Sequence, residues 1–236
     1  RGETASPNLP PPPLASASML DIRRIRTETD RMANLVDDLF ELIGERYDYE
    51  NTMLIAMVST AISLVCGVFA GYALSRLNFP FAGSLGTGIF ITYLVPQTLL
   101  FIPLADIIRN FQLGNTPWAL ILTYPTILIP FSTWLLMGYF KTIPFELEEC
   151  ALIDGASRWQ ILTKIVLPLA IPGLISAFII CFTLCWNEFI YALTFLSSTE
   201  NKTVPVAIVN EFVDGDIYRW GSLMAGALVG SLPLVI

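Results

Sequence analysis

Residues 145–173 read FELEECALIDGASRWQILTKIVLPLAIPG, a polar stretch set inside an otherwise greasy chain. It carries the carboxylates Glu146, Glu148, Glu149 and Asp154 and the cations Arg158 and Lys164, with apolar residues at helical spacing between them. The pattern breaks at Asp154, Gly155 and Ala156. A helix, a turn that glycine permits and a second helix would present a short amphipathic knob beyond a membrane surface. A helix lying flat on lipid headgroups is the other reading of the same pattern.

Outward from this stretch the sequence is that of a membrane protein. Of 236 residues 54% are apolar and 14% charged, against about 25% charged in a soluble domain, and mean hydropathy is +0.64. Apolar runs near 52–75, 84–107, 117–140, 169–196 and 220–236 reach the roughly 20 helical residues that cross a bilayer. The expected fold class is therefore all-α: a polytopic transmembrane helical protein with about five spans and membrane lipid around it. Pro96, Pro103, Pro125, Pro130 and Pro172 fall in or beside the runs and predict kinks, which membrane helices tolerate where neighbours satisfy the freed backbone groups.

What is missing excludes several functions. The net charge of -7 argues against nucleic acid, which needs a concentrated basic surface. No histidine is present, so this chain holds no Ser-His-Asp relay, His-ligated zinc or phosphohistidine. Cys66, Cys150, Cys181 and Cys185 are too scattered for a disulfide framework. Cys181 and Cys185, four apart, have no supporting ligand nearby and read as buried small hydrophobes, so no metal and no catalytic residue is expected. No G-x-x-x-x-G-K-[ST] phosphate loop occurs in this chain.

Charge is concentrated at one end: residues 1–50 hold 6 of the 13 basic and 10 of the 20 acidic residues. Residues 1–18, with their proline run, are expected to be extended or disordered. Over 19–50 the residues Ile25, Met32, Leu35, Leu39 and Leu42 predict an amphipathic helix. Residues 21–42, DIRRIRTETDRMANLVDDLFEL, resemble the second dimerisation helix of sensor histidine kinases, without the phosphoacceptor histidine of that family. Loop cations give a slight orientation bias: Arg76, Lys141, Arg158 and Lys164 on one side against Arg109, Lys202 and Arg219 on the other.

Ionisable groups inside apolar runs mark sites. Asp106 and Arg109 read as an interfacial pair. Glu188 stands in TLCWNEFIYALTF, beside Asn187 and among Trp186, Phe189 and Tyr191. Aromatic faces with hydrogen-bonding groups suit a neutral polyol in transit, so Trp186, Asn187, Glu188 and Tyr191 are candidates for a substrate path. A hydrogen bond between helices is the alternative for Glu188. The G-x-x-x-G pairs Gly67/Gly71 and Gly226/Gly230 are expected to be packing sites.

The central stretch resembles the cytoplasmic loop of ABC-importer permeases: E-A-A, three residues, G, nine residues, I-x-L-P. Here these are Glu149, Cys150, Ala151, then Gly155, then Ile165, Val166, Leu167 and Pro168, with cysteine in place of the first alanine. NTMLIAMVST at 51–60, YALSRLNFP at 72–80, YPTILIPFSTWLLMGYFKTIPFELEE at 124–149 and WNEFIYALTF at 186–195 are similar to the maltose-type, carbohydrate-uptake branch. The resemblance covers about 51–236. It implies a multi-pass permease of the bacterial inner membrane, a second permease subunit, an ATPase dimer carrying Mg-ATP, an extracytoplasmic solute-binding protein, and no cofactor on this chain. It also implies ATPase coupling through Glu149, Ala151, Asp154, Gly155, Ile165, Leu167 and Pro168. Glu149 would offer a charge, Ala151 close approach and Gly155 the turn, and Pro168 would stop the second helix. Segment 197–219 would serve as a docking surface for the binding protein.

That family carries a further span ahead of Asn51, where the kinase-like head stands here, and a tail after the last span. A permease domain truncated at both ends, as a fusion, misjoined frame or fragment, is the expectation. An ion-coupled secondary transporter, or a non-functional permease fragment on a sensor-kinase helix, is the competing reading; neither needs an ATPase-docking knob.

Overall fold

The computed structural model describes residues 22–31, 33–34, 49–214, 217–218 and 220–235. Residues 22–31 and 33–34 are helical and exposed. The expected extended segment 1–18 and the positions Met32, Leu35, Leu39 and Leu42 lie outside the described residues.

The body is helical. The first helix, α1 (Tyr49–Arg76), runs 28 residues, about 42 Å at 1.5 Å per residue. It pairs along its length with α5 (Pro125–Phe140), which continues α4 (Pro117–Thr123) as one apolar stretch of 24 residues. In lipid, helices gain little from hydrophobicity and much from close packing, and the glycines of α1 supply it. A Cβ at Gly71 would stand 3.2 Å from Met137 N and 3.3 Å from Thr133 O, and one at Gly67 would overlap Ser132 Oγ.

The run at 84–107 is not one straight helix. It forms α2 (Ala82–Tyr93) and α3 (Gln97–Asn110), which turn through 90° at the break between them. Pro96 accounts for the break, because it lacks an N–H and disfavours helical geometry at Val95. Pro103 is absorbed within α3.

The polar stretch supplies α6 (Glu146–Ile153) and α7 (Arg158–Leu169), which bends by 76° into α8 (Ile171–Trp186). Before the bend, α7 widens to a π turn over Leu162–Val166, just ahead of Pro168, which has no N–H to continue the ladder. The expected span 169–196 is interrupted: α8 ends at Trp186, and α9 (Ile190–Phe195) follows after Asn187–Phe189. Then come a 3₁₀ turn at Thr199–Asn201, α10 (Val204–Phe212), and the two-residue antiparallel strands β1 (Val213–Asp214) and β2 (Ile217–Tyr218). The last helix, α11 (Trp220–Val235), has 16 residues.

Among the described residues, α1 and Pro117–Phe140 are each long and apolar enough to cross a membrane. Counting each bent pair as one span gives up to four. The chain adopts the all-α, multi-pass architecture, and α11 falls within the fifth run expected at 220–236. Gly226 and Gly230 face α10, where added Cβ atoms would meet Ile208 and Val204 at 2.9–3.1 Å.

Two apolar clusters fill the body. One gathers Ile55, Leu120, Tyr124, Cys185, Trp186 and Tyr191; the other gathers Tyr72, Leu136, Phe140, Ile161, Leu162 and Val166. Because α1 contributes to both, it joins two ends with different chemistry. Near its start Asn51 Nδ2 donates to Glu200 O at 2.6 Å and Thr52 Oγ1 accepts from Val204 N at 3.0 Å. Near its finish Tyr72 and Arg76 meet α6. Glu200 and Val204, on the one hand, and the polar stretch, on the other, therefore stand at opposite ends of α1.

Candidate functional site

The polar stretch closes into a helix–turn–helix whose turn satisfies its own backbone. At the end of α6, Ala156 N donates to Ala151 O at 2.9 Å and Gly155 N to Leu152 O at 3.1 Å. This is the paired closure of a Schellman motif. It requires a left-handed residue, which Gly155 supplies with φ 82°. The start of α7 is capped reciprocally: Gln160 N donates to Ser157 Oγ at 3.3 Å, and Ser157 N donates to Gln160 Oε1 at 2.8 Å. The knob is thus held by covalently adjacent residues, with Ile153 at its tip 86% exposed and Trp159 61% exposed.

The expected coupling residues divide between the two faces of this knob. Glu149, Asp154, Gly155 and Pro168 are exposed, and Ile165 and Leu167 are half-buried. Ala151 points the other way, into the cluster of Tyr72, Phe140, Ile161 and Leu162. Its close approach is to this chain's own helices.

Beneath the knob lies a charged group that the sequence reading passed over. Glu148 is fully buried. Its Oε1 lies 3.1 Å from Arg76 Nε, its Oε2 accepts from the Tyr72 hydroxyl at 3.2 Å, and Arg158 Nη1 stands 4.0 Å away. Arg76 Nη2 also donates to the carbonyls of Phe140 and, at 2.6 Å, Ile143, and the guanidinium sits 5.7 Å from the centre of the Phe145 ring. Phe140 ends α5 and Ile143 lies in the turn that follows it, where backbone acceptors lack helical partners. A cation at the end of a greasy helix, and a carboxylate adjacent to Glu149, were the available signals; their pairing was not.

The second site is the break between α8 and α9. Glu188 accepts three hydrogen bonds: from Tyr191 N at 2.9 Å on Oε1, and from Ala192 N at 3.1 Å and the Tyr124 hydroxyl at 3.0 Å on Oε2. It caps α9 and ties it to α4–α5. Trp186 Nε1 donates to Gly230 O at 3.0 Å, and the Tyr191 hydroxyl donates to Gln97 O at 2.8 Å. Both rings are buried. Asn187 is exposed and donates to Thr183 O at 2.9 Å. A cavity of about 350 Å³ lies beside the break, bordered by Gln97, Tyr124, Thr183, Asn187 and Glu188. A second cavity of about 300 Å³, bordered by Trp186, Asn187, Phe189 and Ile208, lies against the same break.

Elsewhere, Asp106 and Arg109 form an exposed pair at 3.6 Å. Cys181 and Cys185 are buried, and the described residues hold no cluster of metal-ligating side chains.

Broken helices around a two-part core, with a rigid helix–turn–helix projecting from one end, define a membrane permease of the importer type. Residues 63–236 match the family described as binding-protein-dependent transport system inner membrane component, and the chain belongs to it. It is 39% identical over 206 residues to the inner membrane ABC transporter permease protein YcjP of Escherichia coli (strain K12), covering 87% of this chain and 73% of that one. It is also 39% identical over 190 residues to the trehalose/maltose transport system permease protein MalG of Thermococcus litoralis, covering 79% and 67%. A crystal structure of a bacterial ABC transporter that imports the acidic polysaccharide alginate superposes with a TM-score of 0.69 at 23% identity, covering 85% of this chain and 75% of the other. That likeness is one of fold.

Proposed function

We propose that this permease passes a neutral sugar or polyol, delivered by an extracytoplasmic solute-binding protein, through a path it shares with a second permease subunit. An ATPase dimer binding Mg-ATP drives the cycle from the other side, and this chain contributes no catalytic residue and no cofactor. The observation that carries the reading is the self-closed knob of α6, the Gly155 turn and α7. A motor on a separate chain can drive the spans only through an element that does not yield when pushed. Glu149 and Asp154 offer charge to the ATPase and Ile153 an apolar tip, while Ile165, Leu167 and Pro168 direct α7 into the bend toward α8.

The carbohydrate assignment rests on a relative named for trehalose/maltose transport and on the chemistry of the α8–α9 break. Asn187 and Glu188 border a cavity among aromatic side chains, a setting that suits stacking and hydroxyl contacts. Trp186 and Tyr191 would act one layer back, shaping the path from buried positions. Segment 197–219, whose Glu200 and Val204 lie at the opposite end of α1 from the knob, is the surface offered to the binding protein.

The test is Gly155→Val in the assembled transporter at matched expression. A β-branched residue is strained at φ 82°, while nothing within 4 Å of the site obstructs a Cβ. The spans should insert normally, while ATPase recruitment falls or hydrolysis separates from uptake of a radiolabelled disaccharide. Normal recruitment with normal coupled uptake would defeat the reading and favour an interfacial helix, which needs only its apolar face.

A further inference from the structure

We infer that Glu148 is a positioning residue that locks the knob to α1 and α5, through Arg76 and Tyr72, so that the knob and the first helix move as one body. The inference rests on the importer reading above and adds the residues that carry motion from the knob into the membrane.

Three segments meet at one carboxylate. Tyr72 and Arg76 come from the last turns of α1, Glu148 from α6 and Arg158 from α7. Through its second nitrogen, Arg76 also holds the carbonyls of Phe140, at the end of α5, and Ile143, in the turn beyond it. The Arg76 and Glu148 side chains are 5% and 0% exposed, so water does not compete for them.

A buried ion pair is a poor source of stability, because the desolvation it suffers offsets the attraction it gains. What it offers instead is direction. Apolar contacts such as those of Ala151 tolerate sliding, whereas a guanidinium hydrogen-bonded to two carbonyls and ion-paired with a carboxylate 3.1 Å away is confined to few arrangements. The lock therefore lies where sliding would waste the stroke, between the element pushed from outside and the helix that spans the bilayer. Glu149, one residue on, is exposed and free to face the ATPase.

The native cysteines allow a direct test. Cys66 on α1 and Cys150 on α6 are exposed, while Cys181 and Cys185 are buried. Spin labels on Cys66 and Cys150, in a full complex with cysteine-free partner subunits, report the distance between the two bodies by pulsed electron spin resonance. In the parent the distance distribution should be narrow and unchanged between the nucleotide-free state and the state trapped with ATP and vanadate. In Glu148→Gln, which keeps the shape and removes the charge, the distribution should broaden. Disaccharide uptake per ATP hydrolysed should fall roughly tenfold, the scale of coupling carried by residues inside such networks, with the ATPase subunits still co-purifying.

Arg76→Lys keeps the charge but gives up the planar grip, and should broaden the distribution as well. A parental distance that changes with nucleotide overturns the inference, as does a Glu148→Gln complex with a parental distribution and parental coupling. Loss of ATPase recruitment in proportion to uptake also overturns it, because that marks a residue needed only for assembly. If the parent recruits no ATPase, the importer reading fails separately. The Cys66–Cys150 distribution in the chain alone, with and without Glu148→Gln, then still decides whether the lock exists.

Discussion

Glu188 separates two accounts of the membrane-embedded site, and Glu188→Gln distinguishes them. The carboxylate accepts from Tyr191 N, Ala192 N and the Tyr124 hydroxyl. A glutamine keeps one acceptor oxygen, so in either orientation its amide nitrogen faces a backbone N–H, and one backbone donor is left unpaired. The Tyr124 hydroxyl can turn and accept, but a backbone N–H cannot. Leaving one donor unsatisfied away from water costs about 1–3 kcal/mol. For a chain of this size that lowers Tm by roughly 2–12 °C, at about 2–4 °C per kcal/mol. Glu188→Ala removes both acceptor oxygens, and with them all three hydrogen bonds, and should lower it further. The assay is thermal unfolding of the purified protein in detergent, followed by tryptophan emission because Trp186 is two residues away, alongside uptake at matched expression. The cap predicts that stability and uptake fall together, with Ala worse than Gln. A Gln variant with parental Tm and abolished uptake would refute this reasoning and make the carboxylate a contact for the transported solute. Parental values of both would remove Glu188 from either role.

Two further outcomes test the packing and the division of the chain. A Cβ at Gly173 would lie 2.5–2.8 Å from ring atoms of Tyr139, so Gly173→Ala must displace the ring or part α8 from α5. It should cost about 1–3 kcal/mol, read as a lower Tm; an unchanged Tm would mean that the ring moves freely. A chain beginning at Tyr49 retains that residue's hydroxyl bond to Val229 O at 3.2 Å and should insert into membranes as well as the full chain, by protease protection. Failure to insert would show that residues 1–48 are needed by the membrane body.

What could be read from sequence followed from local rules. The scarcity of charge announced the spans, Pro96 the break that became a 90° bend, and Gly155 the left-handed turn. The reciprocal cap of Ser157 and Gln160 was equally local, an S-x-x-Q signature, and was overlooked. The interruption of 169–196 was hidden because apolar residues run through it; only Asn187 and Glu188 marked the place, and they were read as a site rather than as a break. The lock under the knob lay beyond local rules, since Tyr72 and Glu148 are 76 residues apart. Adjacent helical residues point about 100° apart, so of two neighbouring glutamates one can be buried while the next is exposed. The E-A-A resemblance drew weight to Glu149, and sequence held no reason to turn its neighbour inward. That reason is the cation at the end of α1: Arg76, held by carbonyls at and just beyond the end of α5, makes burying Glu148 tolerable and thereby decides which face of the knob is left for a partner.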